Sequence, residues 1–148
     1  MSSPLSQEFK ELVDKACEAR LNSHSPYSNF RVGAALLSTD GQVFLGTNVE
    51  NASFGLSNCA ERTAIFTAVT AGVKNFQAIA VCADGVKPTA PCGACRQVLV
   101  EFGLDMVVLI AGEDGGNGPV RQTTVRQLVP DAFTDFRNDG NNDPEETS

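Results

Sequence analysis

The chain has 148 residues, 42% of them hydrophobic, and a formal net charge of -7. That length fits one globular domain whose core needs no disulfide staples. The acidic balance is the wrong sign for gripping a polyphosphate backbone, which argues against nucleic acid as a partner; no apolar run reaches membrane-spanning length and no secretory leader pattern opens the chain, so no membrane partner is expected.

Ser6 precedes an apolar series at Phe9, Leu12, Val13, Ala16 and Cys17, the three-and-four spacing of a capped helix that runs to about residue 21. Pro26 breaks the pattern, because it disfavours helix for the residue before it. Residues 30–38 and 42–47, joined across Thr39-Asp40-Gly41, read as a β-hairpin. A loop over 48–58 leads to a second helix from 59 to about 71, stopped by Gly72. There follow a strand at 76–83, a loop at 84–90, a helix at 93–102 stopped by Gly103, and a strand at 106–111. The Gly-rich run 113–119 lacks the Lys-Ser/Thr of a phosphate cradle and reads as a hairpin turn. A strand at 120–123 and a short helix at 125–128 complete the order α-β-β-α-β-α-β-β-α. That order predicts an α/β chain with a mixed sheet covered on both faces. Residues 1–136 read as one domain. Residues 137–148 read as an acidic, flexible tail with too little apolar content to order itself.

Five cysteines are an odd number, and their grouping favours metal binding in a reducing compartment over a disulfide framework, with a cytoplasmic location expected. Cys17 on the apolar stripe of the first helix and Cys82 at the end of a strand read as small core hydrophobes. The other three lie in Cys59-Ala60-Glu61 and Pro91-Cys92-Gly93-Ala94-Cys95. A structural zinc site closes its tetrahedron with four protein ligands, whereas a catalytic site supplies three and leaves one position open. Three cysteines with an adjacent Glu fit the open kind, the donor set of zinc deaminases. Each fragment falls at a predicted helix start, where unpaired N–H groups and positive partial charge stabilise thiolates. One Zn2+ per chain on Cys59, Cys92 and Cys95 is expected, with Glu61 moving protons without binding the metal. Three thiolates on a dication leave an excess negative charge, and Arg62 is the candidate to draw it off through hydrogen bonds to sulfur.

Asn48-Val49-Glu50-Asn51-Ala52, Cys59-Ala60-Glu61-Arg62-Thr63-Ala64, Pro91-Cys92-Gly93-Ala94-Cys95-Arg96-Gln97-Val98 and Phe30-Arg31-Val32-Gly33-Ala34-Ala35 together resemble the small three-cysteine cytidine deaminases. The resemblance spans about residues 12–133. It implies a three-layer α/β/α sandwich around a five-stranded mixed sheet, and a homotetramer. It also implies hydrolysis of cytidine and 2′-deoxycytidine to the uridines and ammonia, as in pyrimidine salvage, by attack of zinc-activated water on C4 with Glu61 as proton shuttle. Residue by residue, it puts Phe30 against the pyrimidine, Asn48 and Glu50 on the ribose hydroxyl, and the Ala60 backbone on the base. Phe54 and Phe133 match positions through which neighbouring subunits complete each pocket. Family members often carry Tyr where Phe54 stands, so the hydroxyl is missing here.

Two rival readings stand beside this one. A deaminase of a modified cytosine nucleoside such as blasticidin S would use the same metal chemistry, but Phe30, Asn48 and Glu50 favour ordinary ribosides. Cys92-Gly93-Ala94-Cys95 at a helix start also suits a noncatalytic zinc or redox module, yet redox chemistry leaves Cys59-Ala60-Glu61 without a role. His24, the single histidine, reads as a loop residue away from the site.

Overall fold

A computed structural model describes residues 5–134, so the tail at 137–148 and the domain boundary at 136 lie outside the described residues. Helix α1 (Gln7–Arg20) begins where the Ser6 hydroxyl accepts a hydrogen bond from the Phe9 N–H at 3.2 Å. Strands β1 (Val32–Ser38) and β2 (Val43–Thr47) form the hairpin. Helix α2 (Ala60–Thr70), strand β3 (Phe76–Ala83), helix α3 (Gly93–Phe102), strand β4 (Val107–Ala111), strand β5 (Val120–Thr124) and helix α4 (Val125–Leu128) follow. The sheet has the order β2-β1-β3-β4-β5, with β3 and β4 parallel and the other pairs antiparallel. Residues 113–119 connect the antiparallel β4 and β5 through a 3₁₀ turn at Gly115–Asn117, and the Gly116 N–H donates to Asp14 Oδ1 on α1 at 3.2 Å.

The apolar run of β1 is explained by burial on both sides of the sheet. Ala35 and Leu37 face Leu12, Val13 and Ala16 of α1, whereas Ala34 and Leu36 face Ala64, Ile65 and Leu99 of α2 and α3. The leucine, isoleucine and valine side chains among these contribute about 1.5–3 kcal/mol each when fully buried. Two glycines let the layers close. A Cβ at Gly33 would lie 2.0 Å from the Ala16 carbonyl oxygen, and one at Gly46 would lie 2.4 Å from the Ala60 carbonyl oxygen. Gly33 therefore seats α1 on one face of the hairpin and Gly46 seats the first turn of α2 on the other.

The first strand is shorter than the sequence predicts. Phe30 and Arg31 follow Asn29, whose φ of 56° turns the chain. Three of their four backbone groups bond side chains: the Phe30 N–H donates to the Ser28 hydroxyl at 3.0 Å, Asn48 Nδ2 donates to the Phe30 carbonyl at 2.8 Å, and the Arg31 N–H donates to Asp84 Oδ2 at 2.9 Å; the Arg31 carbonyl alone meets main chain, at the Asp84 N–H.

A second correction concerns Cys17 and Cys82. They are joined as a disulfide between α1 and β3, their Cα atoms 5.1 Å apart. The seating of α1 over β3 brings together residues 65 apart in sequence, and the contact depends on packing that spacing alone does not encode.

Candidate active site

Cys59 is the N-cap of α2 and Cys92 the N-cap of α3, both with extended backbone, and Cys95 stands in the first turn of α3. Two helix starts thus converge as the motif spacing implies. The sulfurs of Cys59 and Cys92 lie 3.8 Å apart and those of Cys92 and Cys95 3.5 Å apart. All three lie within 4.8 Å of one another. Ligands about 2.3 Å from one tetrahedral zinc ion are about 3.8 Å from each other, so the trio fits zinc without rearrangement. The donor set fits as well, since thiolate sulfur is a preferred zinc ligand. Among the described residues this is the one such group of metal-binding side chains.

Arg62 and burial shape the charge of the site. The Cys59 thiol is lowered to about 5, first by a hydrogen bond from Cys95 and then by Arg62 against the opposing effect of burial. The Cys95 thiol is pushed well up by the same shared proton and by burial. Arg62 Nη2 donates to Cys59 Sγ at 3.3 Å. Glu61, 3% exposed on the first turn of α2, has its carboxyl pushed up by desolvation above all. A buried carboxyl of raised proton affinity beside an anionic centre suits proton transfer near neutral pH.

A cavity of about 260 Å³ opens at the carboxyl end of β3, between the two helix starts. Cys59, Ala60, Glu61 and Cys92 form one wall, and Phe30, Asn48 and Glu50 line it too. Val81, Ala83 and Pro91 complete an apolar lining of the size a pyrimidine ring needs. Asn48 also has a scaffolding duty, because its Oδ1 accepts from the Val32 N–H at 2.9 Å and from the Ser23 hydroxyl. Glu50 accepts from the N–H groups of Tyr27 and Ser28 at 3.0 and 3.1 Å and from the Ser28 hydroxyl. Those bonds, the Ser28 hydroxyl first, hold its carboxyl below the ordinary range, so it carries charge at neutral pH.

Phe54 and Phe133 stand apart from this cavity. They are 75% and 65% exposed, Phe54 meeting Tyr27 edge-on at 5.9 Å and Phe133 accepting from Gln97 Nε2 through its carbonyl at 2.9 Å. His24 pairs through its backbone with Asn48 and Glu50. Sequence reasoning left Asp84 in a loop, yet it fastens Phe30's neighbour Arg31 and the end of α1. The signal available was an acid directly after a buried strand that leads to the second cysteine fragment.

The fold and the site define a zinc-binding α/β/α protein with three thiol ligands and a carboxylate beside an open position. The family model described as the cytidine and deoxycytidylate deaminase zinc-binding region matches residues 6–111. A cytidine deaminase of Sporosarcina psychrophila is 45% identical over 128 residues, covering 86% of this chain and 92% of that protein. One from Halalkalibacterium halodurans is 49% identical over 124 residues, covering 83% and 92%. The crystal structure of cytidine deaminase from Burkholderia pseudomallei superposes with a TM-score of 0.80 at 49% identity, covering 87% of this chain and 100% of that one. The chain belongs to the cytidine deaminase family of zinc enzymes. Among the described residues no helix is long and apolar enough to cross a membrane.

Proposed function

We propose that this protein hydrolyses cytidine and 2′-deoxycytidine to the corresponding uridines and ammonia. The observation that carries the reading is one cavity joining Cys59 and Cys92 of the cysteine trio and buried Glu61 to Phe30, Asn48 and Glu50. Cys59, Cys92 and Cys95 hold the zinc, which when bound supplies a Lewis acid that makes water nucleophilic near neutral pH. Glu61 takes the proton that the attacking water loses and delivers it to N3 of the ring, then takes the remaining hydroxyl proton and gives it to the amine at C4, which leaves as ammonia. Water adds to C4, ammonia leaves, and a carbonyl replaces the amine. Arg62 offsets the charge of three thiolates by drawing on the Cys59 sulfur. Phe30 covers the pyrimidine, the Ala60 backbone meets the base, and Asn48 and Glu50 receive the ribose hydroxyl.

The active form in this reading is a homotetramer in the cytoplasm. Phe54, Leu56, Phe66 and Phe133 leave large apolar surface exposed, as an interface between subunits would, and Phe54 and Phe133 then close a neighbour's pocket. The net charge of -7 favours a free nucleoside over a nucleic acid strand. A modified nucleoside or a redox role gains no support from a pocket with Phe30, Asn48 and Glu50 on its lining. The test is the ultraviolet change of cytidine incubated with zinc-loaded protein, with Glu61→Gln as control. Conversion to uridine by the wild type, reduced at least about 100-fold in the variant with one zinc per chain retained, is expected. No conversion by zinc-loaded wild type overturns the reading.

A further inference from the structure

Phe30 sits on irregular backbone held by two side chains: Asn48 Nδ2 donates to the Phe30 carbonyl at 2.8 Å and its Oδ1 accepts from the Val32 N–H at 2.9 Å, while Asp84 grips Arg31 between them. Its Oδ2 accepts from the Arg31 N–H at 2.9 Å and from Arg31 Nε at 3.1 Å, and its Oδ1 accepts from Arg31 Nη2 at 3.1 Å. The Asp84 N–H in turn donates to the Arg31 carbonyl at 3.0 Å. Arg31 is thereby gripped through both its main chain and its fork-shaped guanidinium, the geometry in which Arg–carboxylate pairs fix direction as well as distance. Oδ1 also accepts from Arg20 Nη1 of α1 at 2.9 Å, whose side chain is 11% exposed. The next residue is fixed as well: the Gly85 carbonyl accepts from the Glu113 N–H at 2.8 Å and the Gly85 N–H donates to Glu113 Oε2 at 3.0 Å. Asp84 is therefore an immobile anchor. Phe30, 37% exposed on the cavity wall, precedes Arg31 directly, and Ala83 and Val32, which also line the cavity, are the other neighbours of the two clamped residues.

We propose that Asp84 is a positioning residue for substrate: through Arg31 it sets where Phe30 stands over the cavity, and so governs nucleoside affinity without taking part in the chemistry. The proposal rests on the reading of this cavity as a cytidine site. It is a statement about KM, because the cysteine trio and Glu61 hang from α2 and α3 and have no bond to Asp84. Displacement of a substrate-contacting group by an ångström costs up to about 100-fold in efficiency, and a partial loosening of Phe30 falls within that range.

The experiment compares wild type, Asp84→Asn, Phe30→Ala and the double variant as zinc-loaded protein, with Cys17→Ser as a control that weakens the same α1–β3 contact without touching Asp84. Asp84→Asn is expected to raise KM for cytidine about tenfold, with kcat within about twofold of wild type and one zinc per chain. In the Phe30→Ala background the same change adds less than about twofold, since Asp84 acts through Phe30. Cys17→Ser lowers the melting temperature but leaves KM unchanged. Should Asp84→Asn fail to fold, Arg31→Ala, which spares the backbone bonds, is expected to raise KM about threefold with the same non-additivity. An unchanged KM, an equal fall in kcat, or additivity with Phe30→Ala overturns the proposal while leaving the deaminase reading intact. Inactivity of zinc-loaded wild type toward cytidine overturns both.

Discussion

Arg62 Nη2 lies 3.3 Å from the sulfur of Cys59, one helical turn after it on α2. The contact puts a permanent cation on one of three thiolates that together outweigh a divalent metal. Replacing Arg62 by Gln removes the cation and leaves the site more anionic than zinc and two helix starts offset. Zinc retention in a chelator competition is expected to fall about tenfold, with kcat/KM falling in parallel. Arg62→Lys, which keeps charge but not the fork geometry, should recover part of both. Unaltered zinc retention and turnover in Arg62→Gln would remove Arg62 from the account of the site.

The disulfide between Cys17 and Cys82 closes a loop with a sequence separation of 65. In the chain-entropy picture such a link stabilises by about 4 kcal/mol at most. Cys17→Ser is therefore expected to lower stability by up to that amount in denaturant titration, and dithiothreitol should bring wild type to a similar level. Thiol titration of unfolded, metal-free wild type should find the three free thiols of Cys59, Cys92 and Cys95. A count of five without reductant would show that the bridge does not form.

How Asp84 responds to acid follows from its partners. The Arg31 guanidinium, first by hydrogen bonding and then by charge, holds its carboxyl below the ordinary range, with Arg20 adding to the effect. A folded-state pKa below the unfolded value means that the ionised carboxylate stabilises the fold above the ordinary carboxylate pKa. That contribution is lost as pH falls through the lowered folded value. The stability difference between wild type and Asp84→Asn should thus be constant from neutral pH down to about 5 and shrink below about 4. Urea unfolding across that range measures it; a difference independent of pH would mean that geometry, not charge, is what Asp84 supplies.

Glu50 is charged at neutral pH and lines the same cavity as Cys59 and Cys92. A 5′-phosphate entering an anionic site meets repulsion of about 1 kcal/mol or more even through water. Cytidine should be turned over at least about tenfold more efficiently than its monophosphate, and Glu50→Gln should narrow that ratio while weakening cytidine itself. Equal kcat/KM for the two wild-type substrates would refute the assignment of Glu50 to the sugar.

What the sequence disclosed and what it hid divide along physical lines. Strand β3 and helix α3 have the bounds that composition suggests, because Gly103 ends one and an apolar run interrupted only by Gln77 defines the other. The convergence of Cys59 and Cys92 was readable because both are helix starts, a local property. Phe30 and Arg31 fell outside β1 because Asn48 and Asp84 side chains, 18 and 53 residues away, claim their backbone groups; no window of sequence contains that competition. The same holds for Cys17, whose partner is set by how α1 lies across Gly33. Phe54 and Phe133 were named through family resemblance, and their exposure in a single chain leaves their role to the tetramer proposed above.

The sheet also acts as an insulator between two populations of sulfur. The bonded pair lies on the face that α1 covers, while α2 and α3 carry the reactive trio to the opposite face. Thiol–disulfide exchange requires a thiolate to reach a bonded sulfur directly, and five hydrogen-bonded strands stand in the way. The metal-binding thiols and the bridge therefore sit in separate compartments of the fold. The bridge that fastens α1 and the thiols that would hold the metal thus serve opposite faces of one sheet, the first tying the layer down and the second facing the cavity.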